Sequence, residues 1–156
     1  MSELVFQDLD TYRSQLAQAL AEASRSLDWL DGDLAETGAQ DAANAASVRT
    51  LLASSNLARV RLLLHSDAWF WRFCPRLIEL QNIYGHAFEI RLLSEADADT
   101  AERFLLTDKS VVRRFHPDAA RGEASSVGRT MAVCRQQFDL LWLRAEPPSE
   151  GRRLFI

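Results

Sequence analysis

The stretch AERFLLTDKSVVRRF, residues 101–115, decides the fold. Two β-prone runs, Phe104-Leu105-Leu106 and Val111-Val112, flank a turn at Asp108-Lys109. A hairpin is expected, with strands at Arg103–Thr107 and Ser110–Phe115. It is also unusually basic: Arg103 opens the first strand, and Arg113, Arg114 and His116 close the second. Together with Asp108 at the turn, these residues are the candidate lining of an anion site. Alternation along a strand sends Arg113 and Arg114 to opposite faces, so a solvated or salt-bridged face is the plainer reading for that pair.

Outward from the hairpin, helical and strand-like segments alternate. Upstream, FEIRLL (88–93) alternates Phe88, Ile90 and Leu92 as a strand. ARVRLLLHS (58–66) is the clearest strand, and its run of Val60, Leu62, Leu63 and Leu64 suits burial on both faces. SLDWL (26–30) is a shorter one that stops at the turn signal Asp31-Gly32. Helices are expected over residues 8–24, with Asp10 as cap, over Asp41–Ser54, and over Pro75–Tyr84 with Gly85 ending it. Downstream, residues 116–127 are expected as a loop. A last helix from Gly128 to Ala145 carries Met131, Cys134, Phe138, Leu141 and Trp142 on one stripe, and Pro147-Pro148 stops it. The order α-β-α-β-α-β-β-α implies an α/β fold of three layers, a mixed β-sheet with helices on both faces. One domain spanning residues 1–146 is expected, with 147–156 as a tail.

The composition excludes several classes. Over 156 residues, 47% are hydrophobic and 26% charged, so the chain buries a core. The net charge of −4 provides no overall basic field, which argues against nucleic acid as a partner. The two cysteines lie in apolar helical contexts far apart in sequence, without metal-type spacing, and are read as reduced core thiols. No signal peptide or transmembrane run is visible, so a cytoplasmic protein is expected. Only six glycines are present, and no Walker loop, dinucleotide motif, zinc cluster or nucleophile elbow occurs. No cofactor or metal is expected. The acidic loop SEADADTAE (94–102) lacks the glycine and terminal Glu of an EF-hand and reads as solvated.

This order of elements, with a strand–turn–strand before the final helix, resembles one half of a phospholipase D-like domain. That family acts on phosphodiesters through H-x-K-x(4)-D, followed by a G-S-x-N segment. On this chain the Asp position falls on Asp108 and the Lys position on Arg103. The His position falls on Ala101, and the later segment falls on Phe115, His116, Pro117 and Asp118. The resemblance therefore implies a half-size, degenerate member. An alanine methyl neither attacks phosphorus nor protonates a leaving oxygen, so hydrolysis by the family mechanism is not expected. Arginine still offers phosphate a planar fork of donors. Family members bring two motifs together, so the resemblance also implies a homodimer. The reading it supports is a binding or assembly module with a residual site for a phosphate-containing ligand.

Two alternatives stay open. One is an active phosphodiesterase or phosphotransferase using His65 or His116 as base and Arg103 as clamp. The other is an unrelated α/β protein with a small-molecule site near Ser66, because His65, Ser66 and Asp67 end the best strand, where open sheets place their crevice. Ser66 and Asp67 also read as ordinary helix caps, and His65 as a structural histidine. The aromatics Trp69, Phe70, Trp71 and Phe73 cannot all face one core stripe. Trp69, Phe70 and Trp71 are candidate interface residues beside the plainer reading of core packing.

Overall fold

The computed structural model describes residues 3–149. In chain order the elements are β1 (Glu3–Phe6), α1 (Leu9–Glu22), β2 (Ser26–Asp31), α2 (Ala42–Ser54), β3 (Arg59–Leu64), α3 (Ala68–Phe73), α4 (Pro75–Tyr84), β4 (Phe88–Leu92), β5 (Arg103–Thr107), β6 (Val111–His116), β7 (Ala119–Ser125) and α5 (Gly128–Arg144). The strands form one mixed sheet in the order β1-β7-β6-β5-β2-β3-β4. β2, β3 and β4 run parallel, and the remaining pairs are antiparallel.

Side-chain alternation along the strands builds two cores. On one face Leu27, Trp29, Val60, Leu62, Leu105 and Val112 pack under Tyr12, Leu16 and Leu20 of α1 and the buried stripes of α2, α3 and α4. On the other, Leu30, Leu63, Phe104, Leu106 and Val111 pack under Cys134, Phe138, Leu141 and Trp142 of α5. The three-layer α/β architecture follows from this division. Cys74 belongs to the first core and Cys134 to the second, and both are free thiols. Burial pushes them up to about 12 and about 11, so neither is a thiolate at neutral pH.

Several expectations change. Residues 119–125, expected within a loop, form β7, and residues 3–6 add β1 beyond it. Neither segment carries a strong apolar alternation; pairing with β6 makes them strands, as sheet context overrides weak propensity. Gly122 permits this pairing, because a methyl group there would overlap the Arg113 carbonyl oxygen and meet the Phe6 ring. The cap of α1 is Asp8, whose Oδ1 accepts the Thr11 N–H at 2.7 Å, and not Asp10. Phe70 and Trp71, expected as interface candidates, are core residues. Their rings pack edge to face at 4.9 Å, and the Trp71 indole donates to Asp67 at 2.7 Å. Trp69 is half-buried, and Phe73 is the exposed member of the cluster. The tail begins tied down: Glu146 bridges Leu92 on β4, and the Ser149 N–H reaches Asp67 at 2.9 Å. The rest of the expected tail, 150–156, lies outside the described residues. No helix among the described residues is long and apolar enough to cross a membrane.

Candidate functional site

The parallel strands β2 and β3 end together at Asp31 and Leu64. β5 runs antiparallel to β2, with Leu30 opposite Phe104, so the start of β5 meets the end of β2. One step further the same ladder sets Asp31 beside Arg103, and Arg103 in turn pairs with Arg114 on β6. Asp31, Arg103 and Arg114 thus form a row across three neighbouring strands, about 5 Å from one to the next. All three share the face of Trp29, Leu105 and Val112, under α1. Tyr12 of α1 covers the row, with its ring 5.4 Å from the Arg114 guanidinium. The row lies at the carboxyl ends of the parallel strands, the crevice of an open α/β sheet.

The residues of the row are not equally occupied. Arg114 is buried and committed: it donates to the carbonyls of Pro117 and Ala119 and to Glu36 Oε1 at 3.2 Å. Arg103 is not. Among the described residues no acceptor bonds its guanidinium, and its Nε is buried without a partner. Arg61, Arg91, Arg113, Arg114 and Arg135 each meet a carboxylate instead. The Tyr12 hydroxyl is likewise buried and unpartnered. Burial raises its pKa above the ordinary phenol value, so it is a neutral donor. Unmet buried donors of this kind are uncommon in folded proteins.

Gly32 shapes the floor. A Cβ there would stand 2.6 Å from Arg103 Nη2, so the guanidinium rests on the glycine backbone. The following loop is held on all sides. Leu34 adopts φ 73°, a left-handed conformation that costs a branched residue energy. Its N–H donates to Asp31 Oδ2 at 2.7 Å, its carbonyl accepts the Thr37 hydroxyl, and Arg13 Nε donates to the Glu36 carbonyl. Asp31 is 2% exposed, and burial, opposed in part by Arg103, pushes its pKa up to about 6.

The remaining candidates are dispersed. The His65 ring Nε2 lies 2.9 Å from the Thr100 carbonyl, to which it donates, leaving Nδ1 as the free acceptor. Burial, aided by Arg103, lowers its pKa. It therefore reaches the strand entry beside Ala101, but as a structural donor. His116 is exposed at the end of β6, opposite Ala119 and two residues beyond Arg114. Arg113 faces the α5 side, locked between Glu102 and Glu123 at 3.1 Å each. Asp108 sits at the opposite end of β5 from Arg103. Burial opposes its ionisation, but N–H donors from Arg25 and Ser24 and the Ser24 hydroxyl outweigh it and hold its pKa down at about 2. Asp108 pins the turn to the start of β2 and does not face the crevice. Of the five expected anion-site residues, the structure sets Arg103 and Arg114 side by side, with His116 two residues further along β6, and places Arg113 and Asp108 elsewhere. No group of His, Cys, Asp and Glu among the described residues has the arrangement of a metal site.

Asp31, Gly32 and Tyr12 escaped the sequence reading. Asp31-Gly32 has the form of a turn, and Tyr12 has the spacing of a core residue; both are true, and both hide a polar atom. The available signal was an acidic residue closing a strand otherwise buried on both faces.

Solved structures share the fold at low sequence identity. TrmBL2, described as an archaeal chromatin protein with a novel mode of DNA binding, is similar with a TM-score of 0.72 and 15% identity over 94% of this chain. The chain spans about half of that protein, 54%. NucT from Helicobacter pylori is similar with a TM-score of 0.63 and 11% identity, covering 94% of this chain and 98% of that one. Phosphatidylserine synthase of Haemophilus influenzae Rd KW20 has a TM-score of 0.58 and 13% identity, covering 92% and 38%. NucT and phosphatidylserine synthase are phospholipase D-like folds, so the architecture belongs to that class. The DNA-binding neighbour does not favour the expectation that nucleic acid is an unlikely partner. No curated protein matches the chain in sequence. The chain belongs to the family described as a domain of unknown function (DUF7931), whose model matches residues 8–154.

Proposed function

We propose that this chain is a catalytically degenerate phospholipase D-like domain that binds a phosphate-bearing ligand at Arg103 and acts as a binding or assembly module. The observation that carries this reading is the Arg103 guanidinium, without a hydrogen-bond partner at the carboxyl end of the parallel strands, while the neighbouring Arg114 is committed to Glu36 and two carbonyls. An arginine desolvated on one side and closed into no ion pair is a ready partner for an oxyanion. Ala101 supports the non-catalytic part: no nucleophile stands where the motif has its imidazole, and His65 Nε2 is engaged with a backbone carbonyl. Two copies meeting across this edge, as the family resemblance implies, complete the proposal.

Calorimetric titration with inorganic phosphate tests it. The wild type is expected to bind, and Arg103→Ala to weaken binding at least ~10-fold through loss of a charge-assisted bond. Gly32→Ala is expected to do the same while leaving the fold intact, because the methyl displaces only the mobile end of Arg103. Binding that survives both substitutions contradicts the site. With bis(4-nitrophenyl) phosphate no turnover above background is expected. Turnover abolished by Arg103→Ala would instead favour an active enzyme based on His65 or His116. A single-stranded oligonucleotide in the same titration asks whether the phosphate belongs to nucleic acid, and sedimentation reports the copy number.

A further inference from the structure

Arg103 and Asp31 stand side by side, and both keep unused hydrogen-bonding capacity. Asp31 Oδ2 accepts the Leu34 N–H, but among the described residues no donor bonds Oδ1. The two side chains, adjacent in the row, do not close an ion pair, because Arg103 lies over Gly32. The other charged and titratable groups facing Asp31 do not complete it either. Arg114 is taken by Glu36 and two carbonyls, His65 by Thr100, and Asp33 adds a like charge from the loop. Above them the Tyr12 hydroxyl is a third unused group. A fully ionised oxyanion satisfies Arg103 and Tyr12 but sets a bare oxygen against the Asp31 carboxylate. An oxyanion that carries its own O–H satisfies all three, donating to Asp31 while accepting from Arg103 and Tyr12.

Resting on the Arg103 reading, we infer that Asp31 is a specificity-determining residue, selecting an oxyanion with a hydroxyl hydrogen on or next to it over one without. Hydrogen phosphate and a phosphate ester with a neighbouring alcohol both meet this description. Sulfate and a simple alkyl phosphate do not. The principle is general: a buried acceptor left without its donor penalises the ligand that lacks it far more than a missing contact would.

Four probes at pH 8 test the inference: inorganic phosphate against sulfate, and glycerol 3-phosphate against methyl phosphate. Within each pair the ionic charge is the same, so charge alone gives no preference. The wild type is expected to prefer the hydroxyl-bearing member of at least one pair by ~10-fold or more, and the pair showing it identifies the source of the hydroxyl. Asp31→Asn, whose amide also donates, is expected to bring that ratio within about threefold. For wild type, sulfate binding is expected to recover below pH 6, where the carboxyl is neutral and donates. Equal affinities within both pairs, or a ratio unchanged in a cooperatively folded Asp31→Asn, overturn the role of Asp31 while leaving Arg103-dependent binding in place. Failure of every probe to bind, or binding indifferent to Arg103→Ala, removes the Arg103 site and this inference with it.

Discussion

Asp28→Ala is expected to lower stability by about 3 kcal/mol. Asp28 lies in the middle of β2, 2% exposed, directly opposite Arg61 on β3. Its Oδ1 accepts Arg61 Nε at 2.7 Å, and its Oδ2 accepts Arg135 of α5 at 2.9 Å. One carboxylate thus ties two strands to the helix that covers the second face. Without it, Arg61 keeps Asp139 at 3.0 Å and the rings of Phe138 and Trp142, while Arg135 has no carboxylate among the described residues. Those remaining contacts, and the partial exposure of both arginines, place the loss at the low end of what breaking a buried ion pair costs. Asp28→Asn, which keeps an acceptor, is expected to lose less. Urea unfolding at unchanged slope checks both. A loss below ~1 kcal/mol for Asp28→Ala would mean that the pair behaves like a surface ion pair.

Asp31→Asn is expected to act in the opposite direction. Burial raises the Asp31 pKa from 3.8 to about 6 in the folded state. Between those values the folded chain holds a proton that the unfolded chain releases. The stability associated with this group is therefore complete below pH ~4 and falls as pH rises through about 6. The shift corresponds to on the order of 3 kcal/mol forgone at pH 8. Asparagine keeps an acceptor for the Leu34 N–H and does not ionise, so the variant is expected to be more stable than wild type at pH 8 and nearly equal to it at pH 4. Melting curves across that range measure the difference directly. A difference that does not vary with pH contradicts a buried, titrating Asp31.

These two aspartates also show where reading the sequence succeeds and where it stops. The hairpin around Asp108-Lys109, the buried strand Val60–Leu64 and the helix Pro75–Tyr84 were legible because local signals agree with tertiary context: apolar runs, a turn pair, proline at the first turn and glycine at the end. β1 and β7 were not, because AARGEAS becomes a strand only when β6 offers its edge and Gly122 lets the backbones close. The aromatic cluster misled for a related reason: Phe70 and Trp71 both enter the core because α3 is a short helix whose indole is anchored by Asp67. Arg103 was singled out through its place in the motif. Asp31 and the Tyr12 hydroxyl become visible only when register and helix packing bring residues 12, 31 and 103 to one point.

The measurement that bears most directly on the central claim is a crystal structure of the wild-type chain grown in phosphate. A tetrahedral anion is expected within about 2.7–3.2 Å of the Arg103 guanidinium nitrogens, with one oxygen turned to Asp31. A guanidinium folded instead into an ion pair with Asp31, with phosphate bound elsewhere or absent, would contradict it.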